Sequence, residues 1–119
     1  MKIEHDVRMN KRIANAIDRW GRKNSLLTDS RIYFNGICYD YDSNGNKRIL
    51  EDIEAEDYFR YGDNKLVSMS FEGDLYNVLA DHWCIPRYAK LVQEFDNLLS
   101  DFGHYYELGN QWNLTVYPV

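Results

Sequence analysis

A chain of 119 residues with net charge −5 can bury one hydrophobic core and is too short for two. Its aromatic content (Tyr 10, Phe 5, Trp 3) excludes a disordered chain, and its acidity argues against unaided binding to a nucleic-acid backbone. No apolar run approaches the roughly 20 residues that span a bilayer, and the opening "MKIEHDVRMN" lacks the apolar stretch of a secretory signal, so a cytoplasmic address is expected.

From Asp6 to about Lys23, Met9, Ile13, Ile17 and Trp20 recur at helical spacing, which predicts an amphipathic helix. Asp6 is its expected N-cap, and Gly21 or Asn24 its stop. The face opposite the apolar row holds Arg8, Lys11, Arg12, Arg19, Arg22 and Lys23, interrupted by Asp18. After the connection "SLLTDS" the period changes. "RIYF", "ICYDYD" and "KRILEDI" alternate and are rich in β-branched and aromatic residues, with Asn35-Gly36 and Asn44-Gly45 between them. Asn-Gly is favoured in two-residue hairpins because both central residues take positive φ, so a three-stranded antiparallel meander is expected.

"EAEDYFRYGDN" reads as a polar connection with embedded aromatics, and "KLVSMSFE" as a fourth strand with Val67, Met69 and Phe71 on one face. A short helix then begins at Asp74, a good N-cap, and carries Leu75, Val78, Leu79 and His82 on one side. Pro86 opens a second helix whose stripe runs Tyr88, Leu91, Val92, Phe95, Leu98, Leu99, Phe102, and Gly103 ends it. The tail "HYYELGNQWNLTVYPV" predicts a hairpin closed at Gly109-Asn110. The fold class is α+β, with 1–119 as one domain. A single antiparallel sheet, made of a meander and a C-terminal hairpin, packs an N-terminal helix and a C-terminal helix pair on one face.

Three chemistries can be weighed on residue spacing. "DYDSNGNKRILE" (Asp40 to Glu51) fits the calcium-loop pattern D-x-[DN]-x-[DN]-G-x-x-x-x-x-E. Its flanks alternate like strands, and Lys47 stands where that loop wants an apolar residue, so a hairpin tip is expected. Cys38, His82, Cys84 and His104 are acceptable zinc ligands, but only His82 and Cys84 are close in sequence. Both cysteines are expected to be buried structural thiols. A triad from Asp81, His82 and Cys84 has only adjacency in its favour, and no phosphate loop or G-x-S-x-G is present. Neither a catalytic residue nor a cofactor or metal is assigned.

What remains is charge asymmetry. Residues 1–31 carry eight basic and four acidic side chains, and residues 40–81 carry eleven acidic and four basic. The densest acidic part is "EDIEAEDYFRYGDN", where Glu51, Asp52, Glu54, Glu56, Asp57 and Asp63 interleave with Tyr58 and Tyr61. Carboxylates held on a rigid scaffold can imitate phosphates, and tyrosines supply contact area at hot spots. These eight residues are the expected partner-binding surface. In composition the chain is similar to phage and mobile-element accessory proteins that inhibit nucleases, including anti-CRISPR and anti-restriction proteins. The likeness implies an inhibitor, not an enzyme, whose partner is a basic nucleic-acid-binding protein such as a CRISPR effector or nuclease, with no direct nucleic-acid or membrane contact. Alternatives are an immunity-type inhibitor of a basic toxin, and a small metal-dependent enzyme or calcium-binding protein using Asp40–Glu51.

Overall fold

The computed structural model describes residues 5–119. Helix α1 spans Val7–Lys23, and its first turn is capped as expected, Met9 N–H donating to Asp6 Oδ1 at 3.0 Å. Asn24 closes the other end. Strands β1 (Ser30–Phe34), β2 (Ile37–Tyr41) and β3 (Lys47–Glu51) form the meander. β4 (Val67–Phe71) follows, then helices α2 (Asp74–Asp81) and α3 (Pro86–Ser100), and the hairpin of β5 (His104–Asn110) and β6 (Asn113–Pro118). One six-stranded sheet results, in the order β3-β2-β1-β4-β6-β5, with every neighbouring pair antiparallel. Among the described residues no helix is long and apolar enough to cross a membrane.

Alternation along the strands assigns side chains to two faces. Ile32, Phe34, Tyr39, Tyr41, Val67, Met69, Phe71, Leu114 and Val116 belong to one buried cluster with Ile13, Ile17 and Trp20 of α1, Leu75 and Val78 of α2, and Phe95 and Leu99 of α3. All three helices therefore cover the same face. Phe95 sits at its centre, stacked on Trp20 at 4.9 Å and touching Tyr106 at 5.2 Å between ring centres. The helix pair is the long connection between β4 and the closing hairpin.

The other face is covered differently. β3 is an edge strand and β4 lies beyond β1, so the chain must cross β2 and β1 to join them. Residues 52–66 make that crossing on the face away from the helices, as a strap containing a 3-10 turn at Ala55–Asp57. Ala55 and Phe59 are its anchors, buried with Tyr33 and Cys38 and flanked by Leu50 and Ile53.

Several local expectations change. Asn35-Gly36 is the expected two-residue turn, with φ of 53° and 76° and Phe34 paired to Ile37. The second connection is longer. Tyr41 pairs with Lys47, and the five residues between them are organised by Asp42, whose Oδ1 accepts the N–H groups of Asn44 (2.8 Å) and Asn46 (2.9 Å). An Asx turn has displaced the simple Asn-Gly one. The C-terminal hairpin turns at Gln111-Trp112, not Gly109-Asn110. Gly109 sits at a register shift within β5, where a Cβ would lie 2.6 Å from Tyr61 Cβ. Asp74 is the first residue of α2 and not its cap; its N–H donates to Thr28 Oγ1 at 3.2 Å. His82 is half-buried just past α2, its ring bonded to the Leu79 carbonyl, and does not join the core.

Asp18, expected on the basic outer face, is buried. Tyr41 donates its hydroxyl to Asp18 Oδ1, Lys47 Nζ stands 3.4 Å from the same oxygen, and Arg22 approaches Oδ2 at 3.7 Å. Lys47 also lies 3.8 Å from the centre of the Tyr39 ring, whose hydroxyl bonds Asn15 at 2.6 Å. This cluster ties α1 to the meander. Burial, and then the hydrogen bond to Asp18, push the Tyr41 hydroxyl above its usual range.

Candidate functional site

Because the strap covers only part of its face, it leaves a cleft of about 400 Å³ beside it. The floor comes from β1, β2 and β4: Arg31, Tyr33, Asp40 and Ser70. Tyr58 and Phe59 of the strap and Trp112 of the last turn form walls, and Asp29, Asp42 and Glu72 stand at the rim. Backbone bonds hold the rim together, from Asp29 N–H to the Asp42 carbonyl (3.1 Å) and from Glu72 N–H to the Asp29 carbonyl (3.0 Å).

The floor is organised by one carboxylate between two guanidiniums. Arg31 Nε donates to Asp40 Oδ1 at 2.9 Å, and Arg48 Nε to Oδ2 at 2.7 Å. Burial pushes Asp40 upward, but hydrogen bonds from Arg48 and then Arg31 outweigh it and hold the group below the usual carboxylate range. The Arg31 guanidinium also lies 5.5 Å from the centre of the Tyr58 ring, and Tyr58 packs on Tyr33 at 5.8 Å. Tyr33 and Asp40 hold Arg31 firmly protonated despite its partial burial. With both oxygens of Asp40 engaged by arginines and Asp42 capping its own loop, the cleft is an electrostatically layered surface: a cation at the floor and carboxylates at the rim.

The eight predicted partner residues do not form one row. Glu51 ends β3 opposite Ile37, and Asp52 follows with φ 56°; both are exposed at the sheet edge. Glu56 and Asp57 are exposed in the 3-10 turn, next to Tyr58, which is 50% exposed and faces the cleft. Glu54 is half-buried near Gly36. Tyr61, also 50% exposed, packs over Gly109 on the C-terminal hairpin, while half-buried Asp63 caps its own loop and accepts Lys65 N–H at 2.9 Å. Glu56 and Asp57 precede Tyr58 on the strap but do not line the cleft; of the eight only Tyr58 does, and Asp29, Asp42, Glu72 and Trp112 join it there from distant parts of the sequence. Only the strand pairing of Ser30 with Phe71 and with Tyr41 makes the first three neighbours.

The metal-ligand sets seen in the sequence stay apart. Cys38 is buried beneath the strap, His82 and Cys84 follow α2, and His104 starts β5; among the described residues no three potential ligands gather to hold an ion. Asp40 to Glu51 is a β-hairpin with Glu51 at the far end of β3. Burial pushes the Cys38 thiol up to about 12, so it is not a ready nucleophile. Cys84, expected to be buried, is exposed. It lies in the joint between α2 and α3 beside Trp83, which is itself 77% exposed, so neither side chain reaches the core.

These features define an α+β protein with a helix-covered sheet face and a strap-covered, acid-rimmed one. A scan of protein-family models and searches of curated proteins and of solved structures found no match to the chain.

Proposed function

We propose that this chain is an inhibitor that binds a basic nucleic-acid-handling protein, of the CRISPR-effector or nuclease kind, through the strap face, and that it catalyses no reaction itself. The observation that carries the reading is the cleft beside the strap, where half-exposed Tyr58 and the carboxylates of Asp29, Asp42 and Glu72 converge; exposed Glu56 and Asp57 precede Tyr58 on the strap. An arginine or lysine of the partner can enter between the rim carboxylates and lie against exposed aromatic rings, a pairing that gives both charge steering and a desolvated anchor. In this reading exposed Glu51 and Asp52 at the sheet edge and half-exposed Tyr61 beside the C-terminal hairpin widen the surface, while half-buried Glu54 and Asp63 contribute charge only.

The test uses the immobilised protein to capture partners from bacterial lysate, followed by an assay of whether the captured protein still binds labelled nucleic acid. Capture should weaken steeply with salt, since screening shortens from about 10 Å at 0.1 M to about 3 Å at 1 M. Glu51→Lys, Glu56→Lys and Asp57→Lys together should abolish capture and inhibition, and Tyr58→Ala should speed dissociation. A triple variant that captures and inhibits as the wild type does removes the strap from the function. A captured basic toxin without nucleic-acid activity would favour the immunity-type alternative.

A further inference from the structure

We infer that the exposed face of α1 is a second, independent surface that grips the phosphodiester backbone of a nucleic acid. At 3.6 residues per turn, Arg8, Lys11, Arg12, Arg19, Arg22 and Lys23 fall within an arc of about 120°, on a row about 22 Å long. All six are exposed. The arc contains no acidic residue, because Asp18 at its margin is buried and bonded to Tyr41. Among the described residues, only Arg22 of the six has a carboxylate within ion-pair distance.

An ordinary solvated helix face mixes signs, and this one works against its own helix. Arg8 with Lys11 and Arg12, and Arg19 with Arg22 and Lys23, are like-charge neighbours at the spacings where repulsion is felt. Arg8 also stands at the helix end that prefers acids, and the first turn has none. Glutamates interspersed with the cations, and placed in the first turn, would solubilise the face without either cost. A polyanion removes both.

The negative net charge does not forbid this. It counted in the sequence against direct nucleic-acid contact, but the fold puts the acids of the strap behind the sheet, on the far side from α1. The molecule is 24 Å thick in its shortest dimension, and a charge is screened within about 8 Å at physiological salt, so the two faces act separately. A nucleic-acid backbone is favoured over an acidic protein because four of the six cations are arginines, whose forked donors match phosphate, and because their row is rigid and straight. The one amide on the arc, Asn15, has its Oδ1 engaged by the Tyr39 hydroxyl, so no Asn or Gln is free there for the bidentate reading of adenine, and the arginines are assigned to phosphate. Binding is therefore independent of sequence. It does not rest on the inhibitor reading.

The experiment is fluorescence anisotropy of labelled duplexes of two unrelated sequences, titrated between about 50 and 200 mM salt, where a protein neutralising about five phosphates shows a log–log slope near −4.5. Equal affinity for both duplexes is expected. Arg8→Gln, Lys11→Gln, Arg19→Gln and Lys23→Gln together should reduce the slope by about one per cation removed and weaken low-salt binding at least about 100-fold. Circular dichroism verifies that the helix persists, and Lys11→Gln with Lys23→Gln alone gives the intermediate slope if the fourfold variant misfolds. The strap variant Glu51→Lys, Glu56→Lys, Asp57→Lys must not weaken duplex binding, so its failure to capture a partner and a failure here remain distinct. Absence of binding at low salt, an unchanged slope in the variants, or poly-glutamate bound as tightly as the duplex would overturn the inference.

Discussion

On the helix side of the sheet, Ile32, Met69, Phe71 and Leu114 meet Ile13, Ile17, Leu75, Phe95 and Leu99 in one continuous apolar layer. On the strap side, Tyr33, Cys38, Ala55 and Phe59 make a small patch, and around it lie Arg31, Asp40, Ser68, Ser70 and Thr115. The same strands present both faces. What differs is the chain that covers them: three helices with full apolar stripes against one strap with two anchors. Stability should therefore reside on the helix side, while the strap side is free to carry charge and exposed rings.

The largest effect should come from Phe95→Ala, which removes the ring stacked on Trp20 and packed against Tyr106 and should cost about 3–5 kcal/mol in chemical denaturation. A loss below about 1 kcal/mol would break the contrast at its stronger end. Next comes Asp18→Ala, which strands the Tyr41 hydroxyl and the Lys47 ammonium and should cost about 2–3 kcal/mol. Tyr41 links this cluster to pH. Its folded-state pKa is raised, so the native state keeps a proton that the unfolded chain would release. The contribution is complete below about pH 10 and is lost as pH rises beyond it. Denaturation midpoints measured across that range should fall in the wild type and fall less in Tyr41→Phe.

Phe59→Ala should cost less than Phe95→Ala, about 2 kcal/mol, because the strap can loosen without opening the helix-side core. Hydrogen exchange should quicken in residues 52–66 and stay slow in β1 and β4. Equal acceleration everywhere would mean that the strap belongs to the main folding unit. The smallest effect concerns the thiols: a thiol reagent should label Cys84 rapidly in the native protein and Cys38 only on unfolding.

How far the sequence discloses this contrast depends on the range of the interactions involved. The helices and strands are legible because Ile13, Ile17 and Trp20, or Val67, Met69 and Phe71, repeat at the period of their own element. The Asn35-Gly36 turn is equally local. Strand order is not, because the strap's path over β2 and β1 follows from β4 pairing with β1, a contact between residues far apart in the chain. Hence Glu56, Asp57 and Tyr58 could be named from composition, whereas Asp29, Asp42, Glu72 and Trp112 could not. The burial of Asp18 was hidden for a related reason. Its partners Tyr41 and Lys47 lie on other elements, so helical spacing alone left it among the exposed cations.

The central claim, that the strap face and not the helix pair receives the partner, is tested most directly by hydrogen exchange on the captured complex. Amides from Glu51 to Asp63, with those of the Gln111-Trp112 turn, should gain protection on binding, while the exposed joint of α2 and α3 around Trp83 exchanges as in the free protein. Protection confined to that joint, with the strap unchanged, would contradict the account.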